Sequence, residues 1–201
     1  LGLSLVDSIK TVFILSIPLS MYAMYRFLKE FLPQALALAG AVLYVYAPYR
    51  ATEMFVRGTI GEIIAFVFIP LVALSFVKIT QNKNIYRWIG ISGLAIAGLV
   101  LSHNIMAYMF MPFAFALLLA RIIWLARDKK KAILQSLAAI ILGLLVSSYF
   151  WIPAIRESGL MKYSTIYNFY DHFPTIKQLI TPYFGYGASD PGSYDIMSFY
   201  I

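Results

Sequence analysis

Residues 88–120 read WIGISGLAIAGLVLSHNIMAYMFMPFAFALLLA, 33 positions without an Asp, Glu, Lys or Arg. At about 1.5 Å per residue, a single helix of this length would measure about 50 Å. That is too long for one crossing of the roughly 30 Å hydrocarbon core of a bilayer and tight for two. The polar triplet Ser102-His103-Asn104 sits where a hairpin has to turn. The stretch is therefore split into spans of 88–102 and 105–125. Working outward, the remaining long apolar runs predict further spans at about 6–28, 34–48, 59–77 and 132–150, six in all. The second and fourth are about 15 residues, or about 22 Å, and must lean on flanking aromatics or lie partly buried among other helices.

Charge tests the split, because loops rich in Lys and Arg stay on the cytoplasmic side. With six spans, the loops near 26–30, 78–87 and 121–131 share one side. They collect Arg26, Lys29, Lys78, Lys83, Arg87, Arg121, Arg127, Lys129, Lys130 and Lys131 against Glu30 and Asp128, a net charge of +8. The other side holds the remaining six cations against seven acids, a net charge of −1. A single span over 88–125 would place Lys129, Lys130 and Lys131 opposite Lys78 and Lys83 and erase the asymmetry. The predicted topology is multi-pass in the plasma membrane, with Leu1 and Ile201 both extracytoplasmic.

Composition agrees. Only 12% of the 201 residues are charged and 61% are hydrophobic, where a soluble domain carries about 25% charged residues. A water-soluble monomer is thereby excluded, and the mean hydropathy of +0.78 is spread along the chain. The predicted fold class is all-α: a polytopic transmembrane bundle over 1–150, then an aromatic-rich extracytoplasmic loop over 151–201, which holds twelve aromatics and no apolar run long enough to span. The formal charge of +7 reads as topology, and nucleic acid is not expected as a partner. The absence of cysteine excludes disulfides, thiolate catalysis and thiolate metal sites. Leu1 is not preceded by a basic signal region, so a longer parent chain is expected.

The segment from Tyr46-Ala47-Pro48-Tyr49-Arg50 to Arg57-Gly58-Thr59-Ile60-Gly61-Glu62 is the richest in chemistry. Pro48 biases Ala47 away from helix and ends the second span. Gly58 with Thr59 is the expected start of the third. Arg50, Arg57 and the N–H groups of that helix start would then form an anion site at the outer boundary. Glu62 lies within an apolar run, where an ionisable group points to function. The structural alternative is an ion-paired group: Glu53 and Arg57 are spaced i,i+4, and Glu62 could be held by Arg50 or Arg57. His103 and Asn104 either donate to a phosphate or sugar hydroxyl or cap helix ends. Asp7 and Lys10 read most simply as an i,i+3 pair, and Trp151 as an aromatic-belt anchor. Asp7, Glu157 and Asp171 are the candidate catalytic bases. No metal site is predicted, since His103 and His172 lack ligand spacing, and no hydrolase elbow or nucleotide-binding motif is present.

At these residues the chain resembles a known family. The succession Tyr46-Ala47-Pro48-Tyr49-Arg50, Val56-Arg57-Gly58-Thr59-Ile60-Gly61-Glu62 with Pro70-Leu71, Leu101-Ser102-His103-Asn104 and Phe150-Trp151-Ile152-Pro153-Ala154 with Glu157 is similar to the 6-pyruvoyl-tetrahydropterin synthase-related integral membrane proteins. His172-Phe173, Gly185-Tyr186-Gly187 and Asp195-Ile196-Met197-Ser198 fit the same pattern. The resemblance implies no pterin chemistry. It implies a likeness to the GT-C class of polytopic glycosyltransferases, which use polyprenyl-phosphate-linked sugars at the extracytoplasmic face. The expected function is transfer of a sugar from such a carrier to a cell-envelope acceptor. Arg50 and Arg57 would hold the phosphate, Glu62 would orient Arg57, and His103 with Asn104 would complete the pocket. In that class the base or metal ligand is an acidic residue in the first extracytoplasmic loop, which would precede Leu1. No cofactor is evident, and a divalent metal is implied only if that loop is acidic. A transporter of a lipid-linked or anionic substrate and a non-catalytic membrane scaffold are the alternatives, although a transporter would usually show inverted repeats and none is visible.

Overall fold

The computed structural model describes residues 2, 4–82 and 84–160. Six longer helices occupy the six expected spans: α1 Leu5–Leu28, α2 Gln34–Val45, α4 Ile60–Thr80, α5 Ile85–Ser102, α6 Asn104–Trp124 and α7 Lys129–Val146. Between α2 and α4 lies a short helix, α3 (Pro48–Thr52), running into a π-helical turn at Glu53–Arg57. After α7 come α8 (Ser148–Glu157) and a 3-10 turn at Ser158–Leu160. Among the described residues there is no strand. The chain divides into two compact units after Trp151. The loop expected over 151–201 lies largely outside the described residues.

Four helices, α1, α4, α5 and α6, are long and apolar enough to cross a membrane, and α7 makes a fifth if counted with the helix after it. Of the six expected spans, the second is the one too short for that count: α2 has 12 residues, about 18 Å of helix, and ends at Val45 rather than near Pro48, yet with α3 it carries the chain from the Glu30–Lys78 end back to the start of α4. Ala47 takes the extended backbone (φ −55°, ψ 131°) that a following proline favours, and Tyr46 is already outside the helix.

The helix α4 is the centre. Of its apolar window 61% is buried, against 17% to 33% for α1, α5 and α6, as expected of a helix that is apolar on every side. Val72, Phe76 and Ile79 of α4 pack with Ala95, Ile96 and Leu99 of α5 and Ala114 and Leu118 of α6. The outer helices turn large apolar side chains outward: Ile14, Leu43 and Phe113 are each well over half exposed. A surface of that kind is stable only against hydrocarbon or a partner.

The loops at one end of the bundle are tied together. Lys78 pairs with Glu30 at 2.6 Å, the Gln81 amide donates to the same carboxylate, Arg121 donates to the Thr80 hydroxyl, and Gln135 donates to Asn82. Lys78 and Arg121, two of the cations expected on one face, thus stand at the same end of the bundle. The candidate site lies at the other end, where α4 begins and α5 ends.

Candidate functional site

The site is built by a chain reversal. Pro48, which has no N–H to lose, is the first residue of α3. The helix then widens into the π turn Glu53–Arg57, a rare geometry often found at functional positions. Gly58 closes it in the left-handed conformation (φ 62°), which glycine adopts without strain. The expected helix start at Gly58 is thus corrected: Gly58 caps what precedes it, and Thr59 is the N-cap of α4. The Thr59 N–H donates back to the Glu53 carbonyl at 3.1 Å. Glu53, Arg57 and Glu62 are thereby folded onto one another. A second close approach brings in α5. A Cβ on Gly61 would collide with the Ser102 carbonyl oxygen, so glycine there is what lets His103 reach the first turn of α4.

Four side chains converge on two buried carboxylates. Arg57 Nη1 lies 2.6 Å from Glu53 Oε1 and 3.3 Å from Glu62 Oε1. The Thr59 hydroxyl donates to the other oxygen of Glu53. The Tyr49 hydroxyl donates to Glu62 Oε2 at 2.5 Å, and His103 Nε2 stands 3.5 Å from Glu62 Oε1. His103 Nδ1 accepts the Met106 N–H at 3.2 Å; a ring nitrogen that accepts carries no proton, which leaves the proton on Nε2, facing Glu62. His103 caps α6 with one nitrogen and turns the other towards Glu62. The Glu53 and Glu62 side chains are buried while that of Arg57 is half exposed. The outward edge of the guanidinium is the part a ligand can touch.

Arg50, expected beside Arg57, is elsewhere. It is 2% exposed, donates to Ser20 and Ser16 of α1 at 2.6 and 3.0 Å, and lies with its guanidinium 5.3 Å from the Phe66 ring centroid. Its Nε has no partner, and it makes no ion pair among the described residues. Phe66 is the common support. Pro70, four residues on, has no N–H to offer the Phe66 carbonyl, and the Tyr44 hydroxyl donates to that oxygen instead at 2.9 Å. The Tyr44 and Tyr49 rings also pack on the Phe66 ring. One intrahelical proline thus recruits α2 to the back of the site, and Arg50 fastens α3 to α1.

The other expected residues are dispersed. Asn104 is exposed and its Oδ1 accepts the Ile105 N–H, without a hydrogen bond to Glu62 or Arg57. Asp7 forms a reciprocal cap with Ser4, whose hydroxyl donates to the Asp7 carboxylate at 2.7 Å and accepts the Asp7 N–H at 3.1 Å; the expected pair with Lys10 does not form. Glu157 is exposed in the last turn of α8. Asp171 and His172 lie outside the described residues. Trp151 donates from its indole to the Leu144 carbonyl at 2.9 Å. Among the described residues no group of three or more His, Asp or Glu side chains is arranged to hold a metal ion. Sequence reasoning undervalued Tyr49, Glu53 and Thr59; the signal was present in Tyr49 and Glu53 standing one helical turn apart, ahead of Arg57.

No curated protein and no solved structure matches the chain. Residues 8–187 match the family described as "6-pyruvoyl-tetrahydropterin synthase related domain; membrane protein". That match includes the whole Tyr49–His103 cluster, and the chain belongs to this family of membrane proteins.

Proposed function

We propose that this chain is the membrane-embedded part of a GT-C-like glycosyltransferase that moves a sugar from a polyprenyl-phosphate carrier to a cell-envelope acceptor at the outer face of the plasma membrane. Transfer to a hydroxyl needs a cation for the departing phosphate and a base for the acceptor. The observation that supports the first requirement is the half-exposed Arg57, aligned by two buried carboxylates. Its half-exposed guanidinium meets the carrier phosphate, while Glu53 and Glu62 fix its direction and His103 and Tyr49 fix Glu62. Arg50 is too deeply buried to share that ligand. Asp7 is committed to a helix cap, which leaves Glu157 and Asp171 as the candidate bases of this chain.

One observation favours a non-catalytic scaffold instead: the Arg57 charge is already answered by two carboxylates. Binding of a radiolabelled short-chain polyprenyl phosphate to the purified protein separates the two. Arg57→Lys keeps the charge and loses the planar fork, and should weaken binding by about 1–3 kcal/mol, roughly 5- to 150-fold. Unchanged affinity in both Arg57→Lys and Arg57→Ala removes the carrier assignment and leaves the scaffold.

A further inference from the structure

At the opposite, basic end of the bundle, a cleft of about 400 Å³ opens between α1, α4 and α5. Its size falls within the range of small-molecule sites, about 300–1,000 Å³. The walls change character with depth. Leu71, Leu74 and Ile91 line it towards the core, while Arg26, Lys78 and Arg87 come from three different helices to its rim. Among the described residues no carboxylate lines the cleft; Lys78 reaches out of it to pair with Glu30 at 2.6 Å. Arg26 is held over the Tyr22 ring and donates to its hydroxyl at 2.8 Å, which aims the guanidinium without neutralising it. Arg87 is exposed and makes no ion pair among the described residues. Trp88 also lines the cleft, and Trp and Tyr favour the level of lipid headgroups.

An apolar floor under a converging cationic rim, set at the end of a bundle whose flanks are apolar, matches an amphiphile with a phosphodiester head. We propose that this cleft binds the headgroup of an anionic glycerophospholipid, its phosphate among Arg26, Lys78 and Arg87 and the start of its acyl chains on Leu71, Leu74 and Ile91. The site is separate from the Arg57 cluster and does not depend on the function assigned there. A second cleft near Asp128, lined by Lys129 and Lys131, supplies a control with the same sign of charge.

The experiment is native mass spectrometry and thermal melting of the purified protein with phosphatidylglycerol or phosphatidylcholine. Phosphatidylglycerol should be retained and raise Tm, and phosphatidylcholine should do neither. Removing an arginine should weaken retention roughly fivefold each for Arg26→Gln and Arg87→Gln, as expected near a lipid surface. Lys129→Gln with Lys131→Gln should leave it unchanged. Helical circular dichroism and gel filtration verify that each variant is folded, and Arg87→Gln, at an exposed position, keeps the test available should Arg26→Gln misfold. Equal losses in the control pair would mean diffuse attraction and overturn the proposal. So would equal retention of phosphatidylcholine, or displacement of phosphatidylglycerol by a lower concentration of polyprenyl phosphate, which would make the occupant the carrier lipid.

Discussion

Glu53 and Glu62 share one guanidinium and differ in what each loses on amidation. Glu53 has no exposed side-chain surface and accepts from Arg57 at 2.6 Å and from Thr59, so Glu53→Gln loosens both ends of the reversal at once. Arg57 is half exposed, so the cost is that of two hydrogen bonds to a charged group, about 3 kcal/mol or more. Glu62→Gln leaves Arg57 still paired with Glu53, and an amide oxygen can still accept from Tyr49. Its expected loss is nearer the cost of one charged hydrogen bond, about 1.5–3 kcal/mol. Thermal melts in detergent should therefore rank Glu53→Gln below Glu62→Gln, while carrier binding falls in both because Arg57 loses its alignment. The reverse ranking would show that Glu62 is the main anchor of Arg57. Arg50 illustrates why such residues resist reading from sequence. Its spacing places it near Arg57, but whether a guanidinium faces an open cavity or two serines of another helix is decided by contacts 30 and 34 positions away. Glu62, His103 and Arg57 were legible as a cluster because an ionisable group inside an apolar run has few ways to be satisfied.

At the scale of elements, the long helices were legible and the junctions were not. Apolar runs and charge punctuation mark α1, α4, α5, α6 and α7 within a few residues. The stretch 46–59 defeats that reading because Pro48 both ends one helix and begins another, and because nothing in the residue pattern distinguishes a π turn from an α turn. The same stretch offers an element-scale test. If Tyr44 donates to the Phe66 carbonyl because Pro70 cannot, then Tyr44→Phe should cost about 1–3 kcal/mol by leaving that oxygen unpaired. In a Pro70→Ala background the restored N–H at position 70 answers the carbonyl, and Tyr44→Phe should cost much less. Additive losses in this double-mutant cycle would separate the proline from the tyrosine. The loop ends supply a second test. Partial burial opposes ionisation of Glu30, but hydrogen bonds from Lys78 and Gln81 and the charges of Lys78 and Arg26 outweigh it and hold its carboxyl below the usual value. A depressed pKa in the folded state contributes stability that is present at neutral pH and fades as pH falls through the folded pKa. The Tm difference between the wild type and Glu30→Gln should therefore be largest near pH 7 and shrink towards zero as the solution is acidified below the carboxylate range. A difference that persists unchanged would assign the contact to shape alone.

For the whole molecule, the structure fixes which loops lie at the same end and charge supplies the direction. Glu30 with Lys78 and Gln81, Thr80 with Arg121, and Asn82 with Gln135 join the ends of α1, α4, α6 and α7, and the Arg57 cluster lies where α4 starts and α5 ends. Because the chain has no cysteine, single substitutions can report sidedness without a background signal. Tyr86→Cys and Lys129→Cys mark the basic end at exposed positions, and Asn104→Cys marks the other. With a membrane-impermeant maleimide on intact cells, Asn104→Cys should label, and the other two should label only after permeabilisation, since Lys- and Arg-rich short loops are retained in the cytoplasm. Labelling of Tyr86→Cys and Lys129→Cys from opposite sides would mean that the chain does not turn at His103. Consistent labelling with the opposite sign would preserve the bundle and invert it. The proposed transfer site would then face the cytoplasm, where the assignment to an extracytoplasmic carrier reaction could not stand.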